Sequence, residues 1–301
     1  MCDLGGNMDV VRGQLDLDAQ ARERGVCIVP DCGEAPGLAS NLLAYALTLL
    51  EQTDELLLLD GGLPAEPVPP WNYILTFNVD GLTTEYAGTT TWLVNGELAE
   101  IECLDPETYE LIDFGQPFGT LEAFAAATGS TTPWSFRDRV RTLRAKVLRY
   151  PGHAAQFRTF RDLGLFSEEP LDVGGLRVIP RHVFHALLDP RIRAEPGTND
   201  VVVARVVAKG RTGGRNAEVR VDLRVYPDDR LGFTAMEQAT GWHAAIVCKL
   251  MAAGRISPGA TPVELAVDPK AGRGRASTAR IRPHGNGRVR RLGQARLRGG
   301  S

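Results

Sequence analysis

The hydrophobic pattern of residues 26–50 predicts a short strand, a polar loop and then a helix. Residues 26–29 form an apolar run that predicts a buried strand, and Asp-Cys-Gly at 31–33 ends it in a loop. Apolar residues then recur at helical spacing over 38–50, and Pro36 suits the first turn of that helix, where no N–H is needed. Ligands of open α/β sheets bind where a strand ends, so this loop is a candidate ligand site.

The segment before this strand has the pattern of a turn and a surface helix. Residues 3–7 contain Gly5 and Gly6, and Asn7 is a favourable N-cap for a polar helix that reaches Arg24. The order turn, helix, strand, loop, helix is that of the later part of a doubly wound parallel sheet.

Strand patterns dominate beyond Asp54. A run at 55–64 predicts a buried strand, 72–82 has strand composition, and 90–103 predicts a hairpin with its turn at Asn95-Gly96. Further strands are expected at 201–210 and 217–226, and helices at 153–164, 180–189 and 234–254. The middle of the chain is therefore predicted to be α+β with a mainly antiparallel sheet.

Charge and cysteine content narrow the class of protein. The net charge is −3, but ten of the 34 basic residues lie in the acid-free, Gly/Arg-rich stretch 270–301, which is too polar to bury a core of its own. No run of about eighteen apolar residues occurs, so no membrane span is expected. Five scattered cysteines without a C-x-x-C pair fit a reducing cytoplasm better than a disulfide framework.

Two loops near the start carry candidate chemistry. Asp31 is placed to hold a cationic amine or to orient a nicotinamide, and the alternative is a turn aspartate that caps the helix. Cys32 has no basic neighbour in the sequence, which disfavours a nucleophilic role. Gly5 and Gly6 permit close approach of a cofactor, although the sequence alone favours a plain turn.

Three side chains able to bind and deprotonate a substrate meet at the predicted strand end near 149. Arg149 can grip a carboxylate, Tyr150 can donate a hydrogen bond, and His153 can accept a proton near neutral pH. The alternative is a surface ion pair beside a capping histidine. His182 and His185 lack accompanying ligands at zinc spacing, so no metal is predicted, and His243 is expected to be packed in an apolar helix.

Several motifs together resemble the saccharopine dehydrogenase family, and among its members the lysine 6-dehydrogenases most. The motifs are DLGGN (3–7), VPDCGEAPGL (29–38), GGLP (61–64), PPWNYILTF (69–77), GLTTEY (81–86), LRYPGH (148–153) and TAMEQATGWHAAIV (234–247). The likeness extends over about residues 3 to 270.

This resemblance implies a fold of α/β and α+β type, in which the end of a Rossmann-type parallel sheet precedes a C-terminal domain with a mainly antiparallel sheet. It implies that the chain begins near the end of the cofactor-binding domain. The sequence indeed has neither G-x-G-x-x-G nor a P-loop. The expected segments are 1–53 for the end of the NAD(P)-binding domain, 54–233 for substrate binding and dimerisation, 234–268 for a returning helix, and 269–301 for a disordered basic tail.

The activity implied is hydride transfer between NAD or NADP and the C–N bond of an amino-acid substrate, in a homodimer that is expected to be cytoplasmic. Nucleic-acid binding by the basic tail is disfavoured, because the tail has no interleaved aromatic residues. Resemblance assigns Gly5, Gly6, Asn7, Asp31, Gly33 and Pro36 to the cofactor, and Arg149, Tyr150 and Cys32 to the substrate. His153 and Asp31 are the catalytic candidates. The role of His153 as proton acceptor follows from the chemistry of its side chain and is not implied by the resemblance. Cofactor binding is expected to be weak in this chain, and the rival class is a non-enzymatic remnant that folds and dimerises.

Overall fold

The computed structural model describes residues 1–128, 130–228 and 230–269, and the backbone alone of 277–283 and 290–292. The helices are α1 (Met8–Leu15), α2 (Asp18–Glu23), α3 (Leu38–Leu47), α4 (Val79–Tyr86), α5 (Thr132–Ser135), α6 (His153–Asp162), α7 (Pro180–Ile192), α8 (Ala235–Ala252) and α9 (Val263–Ala266). The strands are β1 (Cys27–Ile28), β2 (Gln52–Pro64), β3 (Thr89–Val94), β4 (Glu97–Glu102), β5 (Glu110–Gly115), β6 (Gly119–Ala125), β7 (Thr142–Arg149), β8 (Leu171–Val173), β9 (Leu176–Val178), β10 (Asp200–Thr212), β11 (Arg215–Val225), β12 (Gly259–Ala260), β13 (Ser277–Pro283) and β14 (Arg290–Leu292).

A large, mainly antiparallel sheet dominates the molecule, as the sequence predicts. Its order is β14-β13-β11-β10-β2-β7-β3-β4, and β6 pairs with β7 and carries β5. The pair β2 and β7 is parallel, which brings the carboxyl ends of both strands to one edge. A separate small parallel pair joins β1 to β12. The fold class predicted from sequence is thereby confirmed.

The two faces of the large sheet bury different cores because side chains alternate along each strand. On β2, Leu56 and Leu58 face a core shared with α3, whereas Leu59 and Leu63 face a core with β5 and β6. A third core, rich in aromatic residues, lies between α4, α6 and α7. The site described below lies where the first and third cores approach each other.

Local predictions succeeded where turn chemistry and periodicity agree. Asn7 caps α1, since its side-chain oxygen accepts from two backbone N–H groups, and Asn95 and Gly96 form the turn between β3 and β4. The strand predicted at 72–82 is wrong. The segment is irregular before α4 begins, because Tyr73 and Leu75 bury themselves among α6 and α7 instead of pairing in the sheet.

The basic C-terminal segment was expected to lack structure, but its backbone forms β13 and β14, which extend the sheet from β11. Ladder hydrogen bonds to a strand edge require no apolar side chains, so the polar composition does not prevent this pairing. The rest of 270–301 lies outside the described residues. No helix in the described ranges is long and apolar enough to cross a bilayer.

Candidate functional site

A cavity of about 370 Å³ lies beyond the carboxyl ends of β2 and β7. Its walls come from the glycine turn before α1, the loop before α3, the ends of β2 and β7, the 73–85 segment, the residues after β6, and the first turns of α8. Among the lining residues are Leu4, Gly5, Gly6, Gly33, Glu34, Pro36, Asp60, Tyr73, Glu85, Thr128, Arg149, Met236 and Thr240.

Sheet register places Arg149 and Asp60 on one side of this cavity. Asp60 pairs with Val147 in the parallel ladder, and Arg149 lies two residues further along β7, on the same face as Val147. Both residues are buried. Two successive residues of β2, Gly61 and Gly62, continue the wall, and a Cβ at Gly61 would lie 2.3 Å from the Leu148 carbonyl oxygen. The chain therefore needs glycine at 61 to bring these strands together.

The Arg149 guanidinium is anchored by three protein groups. Its Nε donates to the Tyr86 hydroxyl at 2.9 Å, one terminal nitrogen donates to the Leu148 carbonyl at 2.9 Å, and the other donates to Glu85 at 3.2 Å. The guanidinium also lies 5.2 Å from the centre of the Tyr73 ring. Three of its five N–H donors are used in these bonds, which leaves capacity for a ligand carboxylate.

Three carboxylic acids share the cavity with this single arginine. Burial, together with the nearby charge of Glu85, raises the pKa of Glu34 from its ordinary 4.5 to about 7. Burial and the charges of Glu34 and Glu85 raise the pKa of Asp60 well above its usual value, and burial raises that of Glu85 against the opposing effect of Arg149. The site thus has an excess of acidic groups, and one of them titrates near neutral pH.

Several buried polar atoms at the cavity have no hydrogen-bond partner among the described residues. They are one carboxylate oxygen each of Glu34 and Asp60, and the hydroxyl of Tyr73. Buried polar groups are normally paired, so unpaired atoms on residues that line a cavity are candidate partners for a polar ligand or ordered water.

His153 lies one layer behind the cavity. Its Nε2 is 3.0 Å from the Tyr86 hydroxyl, and its ring stacks on Phe157 with centroids 4.2 Å apart. Burial, reinforced by the charge of Arg149, lowers the pKa of His153 well below its ordinary value, so the ring is neutral. Because Tyr86 separates it from Arg149 and it does not line the cavity, His153 is not placed to contact a substrate directly.

Two predicted substrate-binding residues lie elsewhere. Tyr150 follows Arg149 in the strand and therefore points to the opposite face, where its hydroxyl donates to the Pro64 carbonyl at 3.3 Å. Cys32 is fully buried in the core around β1, and its thiol donates to the Val29 carbonyl. Burial raises the pKa of the Cys32 thiol above its ordinary value. Neither residue reaches the cavity.

The glycine turn before α1 and the loop before α3 both line the cavity. Gly5, Gly6, Gly33 and Pro36 contribute to the wall, and Gly6 has open space where a side chain would be. Asn7 caps α1 and lines a neighbouring cavity of about 470 Å³ that shares Gly6 and Pro36 with the first.

Asp31 supports this turn from behind. It has a left-handed backbone (φ 61°), one carboxylate oxygen accepts from the Ser130 hydroxyl, and burial raises its pKa. A Cβ on Gly5 would lie 1.8 Å from the other oxygen, so glycine is required at position 5 for this contact. Asp31 therefore fixes the turn without lining the cavity itself.

Two further histidines, His243 and His185, have structural partners. The ring of His243 bridges the Cys32 carbonyl and the Asn41 side chain, each at 2.9 Å, and so ties α8 to the loop before α3. His185 lies 3.0 Å from the Thr83 hydroxyl and 3.3 Å from Asp80.

The acidic groups were not predicted from the sequence, although signals for them exist. Asp60 is a lone charge in the apolar run of β2, where an unpaired carboxylate is costly to bury. Glu34 follows Cys32 and Gly33 directly, and Glu85 and Tyr86 end the GLTTEY motif. Their convergence depends on long-range packing that local patterns do not encode.

Comparison with known protein families shows to which family the chain belongs. The family model described as the saccharopine dehydrogenase C-terminal domain matches residues 33–274, which is most of the chain. The chain belongs to this family. The resemblance found in the motifs is thereby confirmed at the family level, and the family is one of amino-acid oxidoreductases. The greater likeness to lysine 6-dehydrogenases stays a prediction.

Two solved structures share the fold. One is apo saccharopine dehydrogenase (L-Glu forming) from Saccharomyces cerevisiae, with a TM-score of 0.65 and 16% identity, covering 83% of this chain and 71% of that one. The other is homospermidine synthase from Legionella pneumophila in complex with NAD, with a TM-score of 0.52 and 11% identity, covering 84% of this chain and 62% of that one. At these identities the likeness concerns the fold alone.

Proposed function

We propose that the cavity is the substrate site of an oxidoreductase that acts on the C–N bond of an amino-acid substrate with a nicotinamide cofactor. The observation that carries this proposal is the cluster of Glu34, Asp60 and Glu85 around the single cation Arg149. An excess of buried carboxylic acids suits a substrate ammonium group, which supplies both positive charge and N–H donors.

Glu34 is the proposed proton acceptor. An amine must lose a proton before its carbon can lose a hydride, and a group with a pKa of about 7 is well matched to that transfer. Glu34 lines the cavity, and one of its carboxylate oxygens has no hydrogen-bond partner among the described residues, so that oxygen is free to take up a proton. Glu34 takes the role that sequence reasoning gave to His153 and Asp31, because neither of those lines the cavity.

Arg149 keeps its proposed role as the partner of a substrate carboxylate. Its remaining N–H donors are able to bind an anionic group, while Tyr86 and Glu85 fix the orientation of the guanidinium. A substrate with an amine at one end and a carboxylate at the other satisfies both halves of the site, as an α,ω-diamino acid does.

The cofactor side of the proposal rests on the glycine turn. Gly6 exposes backbone to the cavity without an obstructing side chain, which fits the close approach of a flat ring. Gly5, Gly33 and Pro36 would hold the nicotinamide end of NAD or NADP beside the acidic cluster. When bound, the nicotinamide supplies the hydride acceptor.

The proposal is tested by ligand binding, which does not depend on turnover. We expect L-lysine to bind the chain in calorimetry, and L-norleucine, which lacks the side-chain ammonium, to bind at least about tenfold more weakly. Asp60→Asn should weaken lysine binding by a similar factor. Glu55→Gln, on the same strand but half-exposed, is the matched control and should bind like the wild type. Equal binding of lysine and norleucine would rule out the acidic cluster as an amine site.

A further inference from the structure

Two cysteines that are remote in sequence lie in contact on the surface near β1. The Sγ atoms of Cys2 and Cys248 are 3.0 Å apart, although 246 positions separate them in the chain. Cys2 is held against β1 by a bridge to Val29, and Cys248 belongs to α8. A disulfide bond is about 2.05 Å long, so an approach of about 1 Å between the sulfurs would bring them to bonding distance.

The other thiols of this region are less suited to oxidation. Cys27 donates to the carbonyls of Ile256 and Ser257, and Cys32 is fully buried. Cys248 is exposed and Cys2 is half-buried, so this pair combines proximity with access from solvent.

We propose that Cys2 and Cys248 are a site of reversible oxidation, at which a peroxide converts the two thiols into a disulfide. The exposed Cys248 sulfur attacks the peroxide, the O–O bond breaks, and a sulfenic acid and one water result. The Cys2 sulfur then attacks that sulfur, the S–S bond forms, the S–O bond breaks, and a second water leaves. Two thiols and one hydrogen peroxide thus give one disulfide and two waters.

The order of the two steps follows from the surroundings of each thiol. Burial and the hydrogen bond with Cys248 raise the pKa of Cys2 to about 11, so Cys2 stays protonated at neutral pH. The exposed Cys248 therefore meets the oxidant first, and Cys2, whose sulfur lies 3.0 Å away, resolves the sulfenic acid and gives up its proton to the departing water.

The cross-link would join two segments that both form walls of the cavity. Leu4, Gly5 and Gly6 follow Cys2 almost directly, and Met236 and Thr240 lie on the same helix as Cys248. Closing so long a loop also restricts the unfolded chain strongly. The oxidised protein should therefore be more resistant to unfolding than the reduced protein.

Hydrogen peroxide, followed by peptide mapping under non-reducing conditions, tests the proposal. We expect a peptide pair linked through Cys2 and Cys248, a loss of two titratable thiols, and a Tm higher by about 5 °C or more, all reversed by dithiothreitol. Cys248→Ser should abolish each effect without disturbing the fold, since the side chain is exposed. Cys27→Ser is the matched control and should oxidise as the wild type does.

Three outcomes would overturn the proposal. One is a disulfide between Cys2 and Cys32 in place of the expected pair. Another is an intermolecular link through Cys248, and the third is oxidation of Cys248 to sulfinic acid with Cys2 left as a thiol. Mass spectrometry distinguishes each of these from the expected product.

Discussion

At the scale of single residues, Glu34 should make stability depend on pH. The folded protein raises the pKa of Glu34 to about 7, so folding favours the protonated carboxylic acid. The resulting stabilisation is complete below the ordinary pKa of 4.5 and is lost as pH rises through about 7. Asp60 and Glu85 shift in the same direction. We expect Glu34→Gln to be more stable than the wild type by about 1–3 kcal/mol at about pH 8.

Urea unfolding at several pH values between about 5 and 8 measures this difference. The Glu34→Gln curve should be flatter than that of the wild type, whereas the control Glu55→Gln should follow the wild type. A Glu34→Gln protein that is less stable at about pH 8 would contradict the assignment of a buried, protonatable acid.

Two tyrosines beside Arg149, Tyr73 and Tyr86, form a natural comparison. The Tyr86 hydroxyl joins Arg149 to His153, whereas the Tyr73 hydroxyl has no hydrogen-bond partner among the described residues. Tyr86→Phe leaves two buried groups unpaired and should cost about 1–3 kcal/mol of unfolding free energy. Tyr73→Phe removes an unpaired group and should be neutral or stabilising. Chemical denaturation of the two variants decides the point, and equal losses would contradict it.

At the scale of elements, buried carboxylates anchor the helices that flank the site. Asp200 accepts from the backbone N–H groups of Ala235 at 2.6 Å and Met236 at 2.9 Å, and so fixes the first turn of α8 to β10. Asp200→Ala should destabilise the protein by about 1–3 kcal/mol, because two backbone N–H groups in the first turn of α8 lose their acceptor. The exposed Glu23→Ala is the control and should change the unfolding midpoint little. Unchanged stability of Asp200→Ala would show that α8 is held by packing alone.

Elements were predictable from sequence where one local signal decides the structure. The Asn95-Gly96 turn determines a hairpin by itself, and the Asn7 cap determines where α1 begins. The strand expected at 72–82 failed because apolar composition does not say what the side chains pack against. Tyr73 and Leu75 are buried between helices, which no local pattern encodes.

At the scale of the whole molecule, the site again shows that local sequence patterns do not encode long-range packing. Alternation along β7 explains why Arg149 reaches the cavity while Tyr150 does not, and this could have been inferred from the sequence. The meeting of Glu34, Asp60 and Glu85 could not, because it requires the parallel pairing of β2 with β7 and the docking of α4. Sequence motifs identified the family, and packing of distant segments determines which motif residues share a cavity.

The last prediction concerns the homodimer expected from residues 54–233. Large apolar side chains are exposed close together in sequence on the β8–β9 hairpin and α7. Leu171, Val173, Leu176 and Leu187 are each more than half exposed. Exposed apolar side chains grouped on one surface are typical of a protein interface. We therefore expect light scattering to show a dimer, and Leu176→Asp to shift the equilibrium toward monomer without changing the circular dichroism spectrum. Leu111→Asp, an exposed leucine on β5, is the control and should remain dimeric. A wild-type protein that stays monomeric at high concentration would contradict the prediction.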